Sequence, residues 1–396
     1  MSSKLNAMSL PGWLILMGAL TAVGPVSIDM YLPAFPAIAQ GLEATGSQVE
    51  RTLAIYLLGM AVSQLFYGPL ADRYGRKPPL YGALTLYILA SAGCALAPNV
   101  ELLTACRLAQ AMGGAAGMVI SRAVVRDHYE TQDAARALSM LMLIMGVAPI
   151  LAPLLGGQLL ELAGWRGIFV SITLAAMVLL LTVSRVMVES LAPERKILLS
   201  WGNILRTYWE LFTHRKFTAY AISGGMGSAT MFGYIAASPR LFIQYFEVSP
   251  QHYGFFFGAN ALSLIVGSQI SARLLKSHRP DKLLPWALRA MMLAGLSALG
   301  LTIAGLITLP LLMLCMLSFM FCQGFVGPNS AAMALSDQGH RLGSASAMLG
   351  TFTISCGAMA GFLVSLASTT GPLPLALIMG GCTTLAWAIG TLARRP

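Results

Sequence analysis

Long apolar runs recur along this chain with almost no charge inside them. That feature narrows the folds open to it more than any single motif. Runs of about 20 residues match the thickness of a bilayer core. There every backbone polar group must be satisfied within its own segment, so the spans are helices. Hydropathy places six of them at 11–33, 52–70, 78–97, 102–121, 137–160 and 165–188. Six more fall at 218–242, 253–274, 283–306, 309–334, 343–367 and 372–392. The predicted fold is an all-α integral membrane protein of twelve transmembrane helices in two six-helix halves, residues 1–188 and 217–396. A polar linker over 189–216 joins them, with an interfacial helix expected near 201–212.

Charge tests this map. Only 10% of the 396 residues are charged, against about 25% in soluble domains, so a soluble surface cannot be kept wet. The net charge of +10 raises the question of nucleic acid. The basic residues, however, are scattered over short loops on one side. Lys4, Arg73, Arg76, Lys77, Arg122, Arg126, the linker residues Arg195, Lys196, Arg206, Arg215 and Lys216, and Arg394 and Arg395 share the side of the N-terminus. Arg51, Arg166 and Arg240 fall on the other. This bias predicts an even number of spans with both termini cytoplasmic, and a lipid bilayer rather than nucleic acid as partner. The first span is too long for a typical signal-peptide core and is expected to be retained.

The candidates for chemistry are few. Six cysteines (Cys94, Cys106, Cys315, Cys322, Cys356 and Cys382) lie in or beside apolar runs without metal-ligand spacing, and read as packing residues. No metal or cofactor is expected. None of His128, His214, His252, His278 and His340 falls within a span, so an embedded enzyme would lack a base or metal cluster at depth. The chain is not expected to be an enzyme.

One carboxylate remains within the predicted membrane layer. Asp29, in Ser27-Ile28-Asp29-Met30-Tyr31-Leu32-Pro33, closes the first span, while the other acids fall at or beyond span ends. A charge inside a bilayer costs at least a few kcal/mol. Asp29 escapes that cost by binding a proton, pairing with a cation, or facing a water-filled cavity; the plainer alternative is that it reaches the interface. Counting from Pro33 puts it about 6 Å below the outer edge, and counting from Leu102 puts Arg107 about 7.5 Å down. The two charges then share a layer, unless Arg107 snorkels outward. A substrate cavity here would need aromatic walls; Tyr31 is the candidate carried forward, among Tyr56, Tyr67, Phe232, Tyr234 and residues 255–257.

Four stretches carry patterns. Gly68-Pro-Leu-Ala-Asp72-Arg73-Tyr-Gly75-Arg76-Lys77-Pro78 joins spans two and three, its glycines permitting a tight reversal. Leu102 to Gly117 presents a small-residue face around Arg107 for close helix approach. Gly146-Val-Ala-Pro149-Ile-Leu-Ala-Pro153-Leu-Leu-Gly156-Gly157 predicts a bent, closely packed helix. Ser121-Arg122-Ala-Val-Val-Arg126-Asp127 ends span four, with Arg122 read as a cytoplasmic anchor.

Jointly these stretches resemble the major facilitator superfamily. The Gly68 loop is similar to its motif between helices two and three, and Leu102 to Gly117 to the motif with a membrane-embedded arginine in helix four. Gly146 to Gly157 resembles the antiporter motif of helix five, with Ala152 in place of the usual glycine. Asp29-Met-Tyr-Leu-Pro33 and Arg122-Ala-Val-Val-Arg126-Asp127 are most similar to the Bcr/CflA drug:proton antiporters. The resemblance implies proton-coupled export of small amphiphilic drugs or antibiotics across a bacterial inner membrane, by a monomer working through alternating access. Asp29 and Arg107 would then couple protons, Asp29 and Tyr31 bind substrate, and Gly68, Asp72, Arg73, Gly75 and Arg76 form a gating loop. The alternative on the same fold is a facilitator or importer of a small metabolite.

Overall fold

The structure, a computed structural model, describes residues 12–129, 131–191, 201–338, 342–367 and 371–393. For 131–136, 138–140, 142, 143, 145, 201, 203, 204, 342 and 343 it describes the backbone alone. Lys4, Arg195, Lys196, His340, Arg394 and Arg395 lie outside the described residues. The described residues are helical throughout, in thirteen α-helices: α1 Gly12–Asp29, α2 Phe35–Gly41, α3 Gly46–Tyr74, α4 Lys77–Leu96, α5 Val100–His128, α6 Thr131–Val186, α7 Trp201–Thr213, α8 Arg215–Pro239, α9 Pro250–Leu274, α10 Pro280–Ile303, α11 Leu309–Leu335, α12 Leu342–Leu366 and α13 Leu373–Leu392. A 3₁₀ turn, Leu32–Ala34, links α1 to α2, and a π-helical turn, Arg240–Tyr245, extends α8.

Ten stretches among the described residues are long and apolar enough to cross a membrane. One of them, Gly146–Val186, is 41 residues long, about twice what a bilayer needs. Gly164, at φ 68° and ψ 179°, breaks it into two limbs. The other missing span is α8, whose Ser223-Gly-Gly-Met-Gly-Ser-Ala-Thr230 run makes it long but not apolar. Counting both, the helices agree with twelve crossings. The interfacial helix expected near 201–212 is α7, with Leu205, Trp209 and Phe212 exposed and Leu211 buried.

Helix ends show why the spans stop where they do. Thr45 caps α3 with a reciprocal Gln48 contact, and Asn99 caps α5 by accepting from Leu102 N at 2.9 Å. The first span does not stop at Pro33. Proline needs no N–H at the start of a helix, so Pro33 fits the first residues of the 3₁₀ turn and the crossing continues to Gly41. The small-residue face of α5 does permit close approach: a Cβ on Gly117 would lie 2.2 Å from the Leu20 carbonyl oxygen.

At the α3–α4 reversal the side chains form a tight polar cluster. Arg76, 6% exposed, donates to Asp72 at 2.5 Å and to Asp127 on α5 at 2.8 Å. The Glu189 carboxylate accepts from the backbone N–H of Arg76, Lys77 and Leu191 at 2.8, 3.0 and 3.1 Å. Gly75 sits at φ 99°, and a Cβ there would meet Glu189 at 2.7 Å, so glycine is required for the turn. Gly68 is not part of the reversal; it lies inside α3 with open space beside it. Asp72 therefore pairs within its own loop, while Arg73 lies over the Tyr74 ring.

Burial alone would push the Glu189 carboxyl up, but the three N–H donors outweigh it and hold the group below its usual 4.5. Its stabilising contribution is present above that value and lost as pH falls through the depressed one. Glu189→Gln should flatten the loss of melting temperature below pH 4.5. Parallel acid profiles for the two proteins would remove Glu189 from this account.

Candidate functional site

Two connected cavities run down the middle of the bundle. The deeper, of about 260 Å³, is lined by Asp29 with Met60, Met231, Phe232, Tyr234, Phe257, Asn260 and Met320 among others. The larger, of about 820 Å³, is lined on the side of the Gly75 loop by Gln64, Arg122, Gln269, Ser330 and Leu335 among others. Met118, Gly146, Leu264, Ile265 and Ile354 line both. The elements that wall them explain the composition of α8. Gly224 and Ser228 face the larger cavity while Met231 and Phe232, about one turn beyond Ser228, face the deeper one.

Asp29 is 4% exposed, and its carboxylate has no hydrogen-bond or ion-pair partner among the described residues. Its level is set by its neighbour Tyr31, whose hydroxyl meets Thr52 Oγ1 at 2.6 Å. Thr52 lies about 9 Å down α3 from Gly46, so Asp29 sits about 12 Å deep. Arg107 lies about 10 Å down α5 from Val100. Both are thus deeper than the counts from Pro33 and Leu102 allowed.

Arg107 shares that layer but not the cavity. It is fully buried behind α1, lying 4.5 Å from the Tyr31 ring centre and 4.1 Å from that of Tyr56. Its Nη1 donates to Ser27 O at 3.1 Å and to Gln110 Oε1 at 2.7 Å. Ser27 is in the last turn of α1, where carbonyls lack helical partners and the dipole favours a cation. The guanidinium caps the helix that carries Asp29, and it does not pair with Asp29. Its Nε and Nη2 have no hydrogen-bond partner among the described residues. Around it, Gln110 Nε2 donates to Ser91 Oγ at 2.8 Å, and the Ser27 hydroxyl meets that of Tyr87.

An unneutralised buried cation costs stability, only partly offset by the ring contacts. Arg107→Met should keep or raise the melting temperature while removing transport. The same change at the exposed Arg289, stacked on Trp286, should leave both intact. A large fall in melting temperature for Arg107→Met would make Arg107 a structural residue instead.

Tyr31 departs from expectation. It is fully buried against Phe35 and Arg107 and lines neither cavity. Residues two apart on a helix point about 200° apart, so when Asp29 faces the cavity Tyr31 faces away. Of the other aromatic candidates, Phe232, Tyr234 and Phe257 do line the Asp29 pocket, whereas Phe255 is 64% exposed. Arg122, read as a cytoplasmic anchor, lines the larger cavity. In α6, Gly146 and Pro149 line the deep pocket, and a Cβ on Gly156 would lie 2.2 Å from Met30 O. Gly157 approaches Pro250 O across the bundle. The backbone stays helical through Pro149 and Pro153; the one non-helical residue is Gly164.

The pair that sequence reading missed is Glu50–Arg240. Glu50 side-chain oxygens accept from Arg240 Nε at 2.7 Å and from Nη2, with side-chain exposures of 2% and 12%. Arg240 Nη1 also donates to Ala367 O at 2.8 Å. This joins α3 to the α8 extension and the end of α12, at the end of the bundle away from the Gly75 loop. Asp29 is therefore not the only carboxylate buried among the helices. Arg240 was one of three basic residues on the sparsely charged side, and that exception to the charge bias was the available signal.

Known proteins extend this picture. The profile of the Major Facilitator Superfamily matches residues 17–362. An uncharacterized MFS-type transporter, YdgK, of Bacillus subtilis is 36% identical over 96% of this chain and 93% of its own length. A bicyclomycin resistance protein homolog of Haemophilus influenzae is 28% identical over 94% of each chain. Multidrug resistance protein D of Escherichia coli is 31% identical over 55% of each. Among solved structures, a POT peptide transporter mutant crystallised with sulfate superposes with a TM-score of 0.76 at 15% identity, over 98% of this chain and 95% of the other.

Proposed function

The chain belongs to the Major Facilitator Superfamily, and we propose that it exports small amphiphilic drugs or antibiotics across the bacterial inner membrane in exchange for protons. It is a multi-pass membrane transporter and not an enzyme. The observation that carries the reading is Asp29, the one carboxylate among the described residues that line a pocket built, apart from Asn260, of methionine, aromatic and aliphatic residues. Soft, polarisable walls of this kind accept varied apolar shapes. Relatives named for bicyclomycin and multidrug resistance support the substrate class.

In this reading residues 1–188 and 217–396 form two halves that rock about the cavity, with 189–216 as the linker. The basic residues of the Gly75-loop end support a cytoplasmic location for that end and for both termini. The wide cavity then opens inward, and the Glu50–Arg240 pair closes the outer side. Asp29 exchanges protons with substrate, while Arg107 positions Asp29 by capping α1. The Gly75 loop ties α3, α4 and α5 into a rigid cytoplasmic end.

The test uses inverted vesicles with an imposed proton gradient. Accumulation of chloramphenicol or ethidium that collapses with the gradient is the expected result. Movement that ignores the gradient would make the protein a facilitator.

A further inference from the structure

Among the described residues that line the larger cavity one side chain is charged, and that charge is positive. Arg122 lines it with no hydrogen bond or ion pair to any described residue. Among the described acids of this end, Asp127 accepts from Arg76 and from Ser190, and Asp72 from Arg76. Anchoring to lipid headgroups is the ordinary role for such an arginine, but that role suits Arg126, one turn further on and exposed. Helical side chains lean toward the N-terminus of their helix. On α5 that direction leads from the cavity mouth toward the Asp29 pocket, and Met118, one turn along, lines both cavities.

Two polar side chains accompany the guanidinium. Gln64 is 6% exposed and Ser330 1% exposed, and both line this cavity, while Gln64 Nε2 and Ser330 Oγ are shielded from it and have no hydrogen-bond partner among the described residues. The other amide atom of Gln64, Oε1, faces Gly350 on α12. A cavity whose described lining holds an unpaired guanidinium and no carboxylate suits an oxyanion.

We propose that Arg122 forms an entry subsite for the carboxylate or sulfonate of an amphiphilic organic anion or zwitterion. The apolar body of that molecule lies along Met118 and Ile265, toward the Asp29 pocket. A zwitterion is thereby ordered, amine toward Asp29 and acid toward Arg122. The proposal rests on reading the cavity as the substrate path, and it does not depend on proton coupling.

The experiment measures equilibrium binding at pH 7, without a gradient, to the full-length protein in phosphatidylcholine nanodiscs. The probes are fluorescent 6-methoxy-2-naphthoate and its methyl ester, which share a shape and differ in charge. The natural protein should bind the acid at least tenfold more tightly than the ester. Arg122→Gln should abolish that preference while changing ester affinity less than twofold, and Arg122→Lys should retain most of it. Equal affinity for acid and ester in the natural protein, or a preference that survives Arg122→Gln, overturns the subsite. Transport that proves independent of protons would overturn the coupling reading and leave this ratio as it is.

Discussion

Glu50→Gln is expected to release the outer face of the protein. The Glu50 and Arg240 side chains are 2% and 12% exposed, and they meet through two hydrogen bonds. Removing one member of a buried pair leaves the other charge uncompensated, at a cost of about 3–5 kcal/mol. Arg240 bears that cost only while the outer side is shut, because opening returns it to water. The equilibrium between closed and open outer faces should therefore move by at least about a hundredfold. Spin labels at Thr45 and Gly371, in a background with the six native cysteines replaced, report the distance between the outer ends of α3 and α13. A longer distance should dominate in the variant. The paired change Glu50→Leu with Arg240→Met leaves no orphaned charge, and should return the distribution toward that of the natural protein. If Glu50→Gln leaves the short distance dominant, the pair is packing and not a gate.

How far the sequence revealed this arrangement depends on what each residue's neighbours are. Spans bounded by caps and loops were legible because hydropathy and helix length answer to the same bilayer thickness. The first span was cut short because Pro33 looks like a stop, whereas in the fold it lies in a 3₁₀ turn within a crossing that ends at Gly41. The weak hydropathy of α8 reflects the glycines and serines that face a cavity, so the misfit with a typical span was itself informative.

At the site, Asp29 was legible because a charge at depth is costly wherever it points. Tyr31 was not, because adjacency in sequence to Asp29 says nothing about facing. A rotation of two residues turns it away from the cavity, onto Arg107. Arg122 and Arg240 have the composition of ordinary interfacial cations; only the three-dimensional cavity and the buried Glu50 distinguish them. Arg107 was placed at the right level, but its contact with the Ser27 carbonyl depends on how α1 ends, which no spacing rule supplies.

The largest functional effect is expected from Asp29→Asn. Asparagine keeps the shape of aspartate and cannot ionise. Because no described residue bonds to the Asp29 carboxylate, the replacement breaks no ion pair, and melting temperature should stay close to that of the natural protein. Transport is another matter. A carboxylate facing Met60, Met231, Phe232 and Phe257 is tolerable while water or a cationic substrate reaches it, and is costly once the cavity closes around it. Closing an empty site thus requires the side chain to take up a proton, which ties the return of the carrier to proton entry. A cationic substrate satisfies the same carboxylate and competes with the proton directly. The asparagine variant can close without either, so it should exchange a neutral substrate such as chloramphenicol yet lose gradient-driven export and the resistance that depends on it. Proton release on adding ethidium to purified protein in weakly buffered detergent gives the direct measurement. The natural protein should release protons on binding, and Asp29→Asn should release none while keeping its fold. Undiminished release together with active export by the variant would show that another group carries the proton.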